Sequence, residues 1–418
     1  MKVPQEGHMT ARWTFMVYMA GNNSLSQAAG EDLRELQAVG SSPEVQVLAF
    51  VKQADTGRAR RLRVGKGGQN EPAEDLGPVD SGNPQTVIDF IRWSVQTAPA
   101  EKYAIVLWNH GGGWTPDDMD QLYSQARLAT GVTRRELNRR ANQNMARAFF
   151  STTITQILAQ PSEGERQICN DDGSGHSLDT LELGNVMKLA VQAIGHPVDL
   201  LGMDACLMST LEVAYQVQRE ARVIVGSEEL EPGAGWCYDR ILADLAARPE
   251  QGPAELGKVV VDRYIESYRA QPAEWPVTQA AVATAKIRPF AQALDGLEQA
   301  LRPRLRADWS QVYRAQSRSA RFVMDLVDLR SFCRNLASTM SDAGVQSASK
   351  QVLDALLPGG YVIAEGHLGP KVKDCGGITV YFPAPSDPVS PFYKDLRFAK
   401  AHRWDRFLKD YQRAVQRG

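Results

Sequence analysis

Two side chains in this 418-residue chain have the types needed for acyl transfer, His110 and Cys206. A thiolate attacks a carbonyl carbon, and a nearby imidazole holds the charge pair and then protonates the leaving amine. His110 closes the apolar run at 103–108 (YAIVLW) and opens the stretch Asn109-His110-Gly111-Gly112-Gly113-Trp114. Glycine after the histidine lets a backbone N–H approach a developing oxyanion that a side chain would obstruct. Gly111 and Cys206 are therefore the candidate oxyanion donors. Cys206 ends Asp204-Ala205-Cys206, directly after the apolar run at 198–203 (VDLLGM). Periodicity predicts a helix over 207–218, whose N-terminal N–H groups would favour a thiolate. Taken singly, such a cysteine is more often a packing residue and such a histidine more often structural. Their joint position at two strand ends is what points to catalysis. Asp204 reads either as a helix-capping carboxylate or as a pocket anion for a basic side chain.

These residues need a scaffold that brings strand ends 96 positions apart to one rim. Short apolar runs at 13–19, 45–51, 103–108, 198–203 and 222–225 read as buried strands. Helical periodicity lies between them: Leu25, Ala29, Leu33 and Leu36 form one stripe, and Val87, Ile88, Ile91 and Val95 a second after Asn83-Pro84. A third runs from Leu183 to Ile194 behind an Asp179/Glu182 capping box. Strands alternating with helices imply a mostly parallel sheet covered on both faces, with ligands at the carboxyl ends of the strands. Residues 115–168 interrupt this pattern with seven arginines and no lysine. They read as an exposed insert outside the sheet, and 134–157 as a stretch with helical character. We assign 11–285 to the α/β domain and 286–418 to a mainly helical C-terminal subdomain with a strand at 376–383, which joins either the sheet or a small local one.

Composition narrows the function. Lys plus Arg is 47 and Asp plus Glu is 49, a net charge of −2, which argues against a nucleic-acid partner. No apolar run is long enough to span a membrane, and the first residues lack a secretory leader pattern. Five widely spaced cysteines form neither a disulfide framework nor a CxxC pair. A cytoplasmic location is the expectation. Residues 170–182 (NDDGSGHSLDTLE) place Leu181 where a calcium loop needs a bidentate Glu. No metal ligand set is assigned, no cofactor is required, and Ca²⁺ remains open only as a weak, nonspecific ligand.

The blocks MVYMAGNNSL, AEKYAIVLWNHGGGW, LDTLELGNVM, VDLLGMDACLMSTLEVAYQV, SEELEPGAGW and GGITVYFP occur in that order between about residues 13 and 385. Together they resemble the clostripain family of cysteine peptidases, within the wider group that includes caspases and gingipains. The resemblance implies a caspase-like three-layer α/β sandwich, a His110–Cys206 dyad and cleavage of peptide bonds after Arg or Lys. It also implies that Asp204 lies at the base of the pocket for the residue before the cut. The loop 227–236 would form that pocket's wall, with Glu228 or Glu229 adding negative charge. Many relatives are zymogens cut between the His and Cys blocks. Here that connection holds Arg127, Arg134, Arg135, Arg139, Arg140, Arg147 and Arg166, candidate sites for cleavage by the enzyme itself or by a second protease. Restraint of this kind would suit a regulated intracellular role in stress, cell death or antiviral defence. A catalytically silent scaffold, or a thiol amidase or transpeptidase, are the alternatives that the same residues allow.

Overall fold

Side chains alternate across a strand, so a strand buried on both faces feeds two cores. The computed structural model shows this in β1 (Ala11–Gly21): Trp13, Phe15, Val17 and Met19 enter one core and Met16, Tyr18 and Ala20 the other. The structure describes residues 10–69, 72–111, 113–114, 168–171, 176–270, 276–323, 325–357, 359–390 and 392–417. The insert at 115–168 lies outside them except for Ile168, and so do all seven of its arginines.

Five parallel strands form the centre of a nine-stranded sheet. They are β1, β2 (Val45–Gln53), β5 (Ala100–Trp108), β8 (Val198–Asp204) and β9 (Ala221–Gly226), in the order β9–β8–β5–β1–β2. These are the five apolar runs read from the sequence. Antiparallel strands complete both edges, β3 (Ala59–Arg63) and β4 (Glu74–Gly77) beyond β2, and β10 (Val277–Ala283) and β13 (Val362–Leu368) beyond β9. The antiparallel pair β6 (Ile168–Asp171) and β7 (His176–Leu178) overlaps the stretch 170–182, where Leu181 argued against a calcium loop.

Helices cover both faces. On one lie α1 (Ser26–Val39), α5 (Tyr238–Ala247) and α6 (Pro253–Ala270), which bury Leu33, Ile241 and Val260 in a common core. On the other lie α2 (Pro84–Thr97), α3 (Thr180–Ile194) and α4 (Leu211–Gln216). Their starts follow local rules. The Asn83 side chain accepts from the Gln85 N–H, with Pro84 at the first helical position. Asp179 and Glu182 make the reciprocal capping box at 2.8 and 3.0 Å.

Beyond residue 286 the chain is mostly helical: α7 (Ile287–Leu301), α8 (Leu305–Arg318), α9 (Leu329–Thr339), α10 (Ala343–Ala355), α11 (Arg397–Ala401) and α12 (Trp404–Arg417). Its apolar residues are continuous with the core under α2 and α3. It also supplies β13 to the main sheet, so the sheet itself crosses that point in the chain. The GGITVYFP block enters a separate small sheet, as β14 (Thr379–Tyr381) beside β12 (Leu326–Asp328) and β11 (Arg321–Phe322).

Glu212 ties α4 to that small sheet. Its Oε1 accepts from the Tyr381 N–H at 3.0 Å and the Tyr393 hydroxyl at 2.7 Å. Burial pushes the Glu212 carboxyl up to about 7. A carboxyl raised on folding binds its proton more tightly in the native state than when unfolded. Its contribution is therefore complete below the unfolded value near 4.5 and fades as pH rises through 7. The loss for Glu212 is on the order of 3 kcal/mol. Thermal unfolding followed by circular dichroism should give a Tm that falls between pH 5 and pH 8. Glu212→Gln keeps the Oε1 acceptor and should flatten that slope. An unchanged slope would remove Glu212 as its source.

Candidate active site

The geometry starts from one register. Strands β5 and β8 are parallel neighbours in which Trp108 pairs with Asp204. His110 lies two residues beyond the first and Cys206 two beyond the second, so both leave the sheet on the same rim. The ladder continues one step outward, where the Asn109 N–H donates to the Asp204 carbonyl at 3.2 Å. Gly111 then packs on Cys206. A Cβ there would stand 2.9 Å from the Cys206 nitrogen and would overlap its carbonyl oxygen. The two residues expected to supply oxyanion donors are thus in backbone contact, and only glycine allows it. Gly112 lies outside the described residues.

The thiol does not sit on a helix. The expected helix over 207–218 is only α4 (Leu211–Gln216), capped by Thr210, whose Oγ1 accepts from the Val213 N–H at 3.1 Å. Cys206 lies in a turn ahead of it, and Leu207 takes a positive φ of 62° there. Side-chain capping by Thr210 and the kink at Leu207 explain why the apolar pattern overstated the helix. A different donor serves the sulfur: the Glu231 N–H points at Sγ from 3.2 Å. It supplies local positive charge in place of the helix dipole.

His110 is fixed by residues that composition alone did not single out. Its Nε2 is 2.9 Å from the Ser24 hydroxyl. Its own N–H donates to the Asn109 side-chain oxygen, and the Asn109 amide donates to the Ala20 carbonyl. Asn23 donates to both Ala20 O and Asn109 Oδ1, each at 3.2 Å. The Asn22-Asn23-Ser24 turn after β1 thus braces the histidine loop. The signal was present as polar residues directly after a core strand.

Asp204 is only 4% exposed. It accepts from the Tyr238 hydroxyl at 2.7 Å and the Trp236 N–H at 3.3 Å. Gly235 covers it with a φ of +53°, and a Cβ there would lie 3.1 Å from both carboxylate oxygens. Glu231 faces Asp204 and accepts from Gln279 Nε2 at 3.0 Å. Burial raises the Asp204 carboxyl, and burial with the Asp204 charge raises Glu231 well above the usual range. Asp32, bound to Trp108 Nε1 at 2.6 Å, is pushed up to about 9 by burial and the same charge. Glu35 reaches about 7 through burial and Asp239.

The loop 227–236 does wall this cluster, but through Glu231. Glu228 turns away: its Oε2 accepts from the Gly377 N–H at 3.0 Å, and it lies against the buried Asp328. Glu229 is spent on its own loop, accepting from the Leu230 N–H at 2.9 Å.

Comparison with known proteins fits this geometry. The clostripain family model matches residues 17–130 and 157–411. The chain belongs to the clostripain family of cysteine peptidases. Clostripain of Hathewaya histolytica is 25% identical over 266 residues, which cover 56% of this chain and 42% of that protein. The clostripain-family chain thus spans under half the length of that relative. Among solved structures, a secreted C11 cysteine protease of Bacteroides thetaiotaomicron bound to an irreversible peptide inhibitor has a TM-score of 0.65 at 17% identity. The match covers 94% of this chain and all of that one. An inactive zymogen C11 protease of Parabacteroides distasonis has a TM-score of 0.62, also at 17% identity, with 94% and 98% covered. Both likenesses establish the shared α/β fold with its mostly parallel sheet and C-terminal helices.

Gly111→Ala should reduce peptidase turnover by about 100-fold or more while the protein still folds, because the added methyl separates the two rim loops. Turnover of a peptide amide within ten-fold of wild type would show that the contact between Gly111 and Cys206 is dispensable.

Proposed function

We propose that this chain is a cysteine endopeptidase that cleaves after Arg or Lys, with His110 and Cys206 as its dyad. The observation that carries the reading is the β5–β8 register, which brings the two side chains to one rim with Gly111 against Cys206. The thiolate attacks the scissile carbonyl, and the N–H groups of Gly111 and Cys206 hold the oxyanion. His110 gives its proton to the leaving amine, which leaves an acyl-enzyme. His110 then takes a proton from water, which hydrolyses the thioester and frees the thiol.

A basic side chain before the cut is supported by the carboxyls gathered around Asp204. Asp204, Glu231 and Asp32 form no ion pair with Lys or Arg among the described residues. A desolvated carboxylate without a cation favours a guanidinium or ammonium partner. The remaining parts of the reading are an activating cut at one of the insert arginines, by the enzyme itself or by another protease, and a reducing intracellular compartment that keeps the thiol available. The dyad chemistry calls for peptide substrates and no cofactor.

Cleavage of a short Arg-ending amide should be abolished by Cys206→Ala and by His110→Ala. Asp204→Asn should lower kcat/KM on that substrate by about 10²–10³-fold, as expected for loss of a buried charge partner. Unchanged preference in Asp204→Asn would remove that residue from the pocket. Mass spectrometry of incubated protein should find a cut between residues 115 and 168 in wild type. The Cys206→Ala form should stay whole unless an active protease is added. Full activity of an uncut chain would refute the zymogen reading.

A further inference from the structure

Glu231 is a buried carboxyl for which the acyl-transfer steps have no use. Its backbone touches the nucleophile, and its side chain faces Asp204. Among the described residues, Glu231 Oε2 is shut off from solvent and meets no N–H or hydroxyl donor. Two carboxyls that face each other out of solvent relieve their repulsion by sharing a proton. Each is also pinned from its far side, Glu231 by Gln279 on β10 and Asp204 by Tyr238 and the Trp236 N–H.

We propose that Glu231 is a second specificity-determining carboxyl, which shares one proton with Asp204 in the unliganded enzyme and releases it to solvent when the guanidinium of a substrate arginine bridges the pair. This rests on the reading that the pocket takes a basic residue. It adds a choice between the two basic residues. A planar guanidinium presents parallel N–H groups to two oxygens, whereas an ammonium is a point charge that satisfies one carboxylate best. With its proton in place the pair carries a single negative charge, and an entering cation makes the doubly ionised state favourable. Among the described residues, the titratable groups around Glu231 are Asp204, Asp32, Cys206, Tyr238, Tyr264 and Tyr268, with Glu35 near Asp204. Among the described residues, Arg240 acts on Glu35, but no lysine or arginine pairs with Asp204, Asp32 or Glu231 to take the proton's place before substrate arrives. Through its N–H on Sγ, the same residue links the occupied pocket to the nucleophile.

Agmatine, an arginine side chain without the carboxylate, serves as the probe. Calorimetric titration at pH 7 in two buffers of different ionisation enthalpy counts protons released on binding. Wild type should release about one proton per agmatine, and Glu231→Gln none. Glu231→Gln should also lower the ratio of kcat/KM for Arg over Lys amides by about ten-fold. Glu231→Asp retains a titrating carboxyl and should retain proton release. It also guards against a folding defect, together with cooperative thermal unfolding of both variants. Equal proton release and an equal Arg-to-Lys ratio in wild type and Glu231→Gln would overturn the proposal while leaving the basic-residue pocket intact. Failure of wild type to bind agmatine or to cleave after either residue would sink that pocket, and this proposal with it.

Discussion

The pairing of Trp108 with Asp204 fixes everything that follows at the rim. Because the side-chain period in a strand is two, a slip of one residue between β5 and β8 would turn the loops that follow to opposite faces. That register is held by burial on both faces: Ala104, Val106, Trp108 and Leu200 in one core, and Ile105, Leu107, Leu201 and Met203 in the other. Each large apolar side chain so buried contributes roughly 1.5–3 kcal/mol. The placement of His110 and Cys206 is thus supported by the strongest part of the fold. The groups that refine it, Asn109, Asn23 and Ser24, act within a shell already fixed by the sheet.

The same burial makes the site's electrostatics. Asp204 ends a central strand, so it leaves solvent along with that strand. Asp32 comes from α1 and Glu231 from the loop after β9, and both are brought to it by helix and loop packing. In water, three carboxyls at such range would repel and stay apart. In the interior, protons keep the charge low. A site of this kind holds its carboxyls together at little Coulombic strain.

The central strands and the first three helices were legible because each obeys one simple period and ends on a turn or cap residue. Val45–Gln53 and Val198–Asp204 are continuous apolar runs of strand length, and Asn83-Pro84 and Asp179/Glu182 are strong starts. The edge strands were not legible. β4 is a short polar run, and β13 (VIAEGHL) is only partly buried, so neither carries a clear alternation. The helix after Cys206 was overstated because Leu207 to Gln218 is apolar enough to mimic a stripe, while the chain first has to turn through Leu207 and Thr210. At the site, the positions of His110, Asp204 and Cys206 at the ends of two neighbouring strands could be read from residue type and pattern. Glu231 could not be separated from Glu228 and Glu229, because three carboxylates within four positions differ only in where a loop bends. The Glu228 side chain goes to Gly377, far away in sequence, and that contact has no local signature.

Trp114 follows β5 at the rim, and Thr180 opens α3. Trp114 is wedged against the rings of Tyr381 and Tyr393 at 4.6 and 4.8 Å, and the Thr180 hydroxyl donates to its carbonyl at 3.3 Å. These two points of the chain are therefore stapled to one another. A polymer whose two ends are clamped together can gain or lose many residues for a small change in closure entropy, since that term grows only with the logarithm of length. The architecture thus provides a port at which evolution, or an engineer, can exchange one segment for another of quite different size while the catalytic frame keeps its shape.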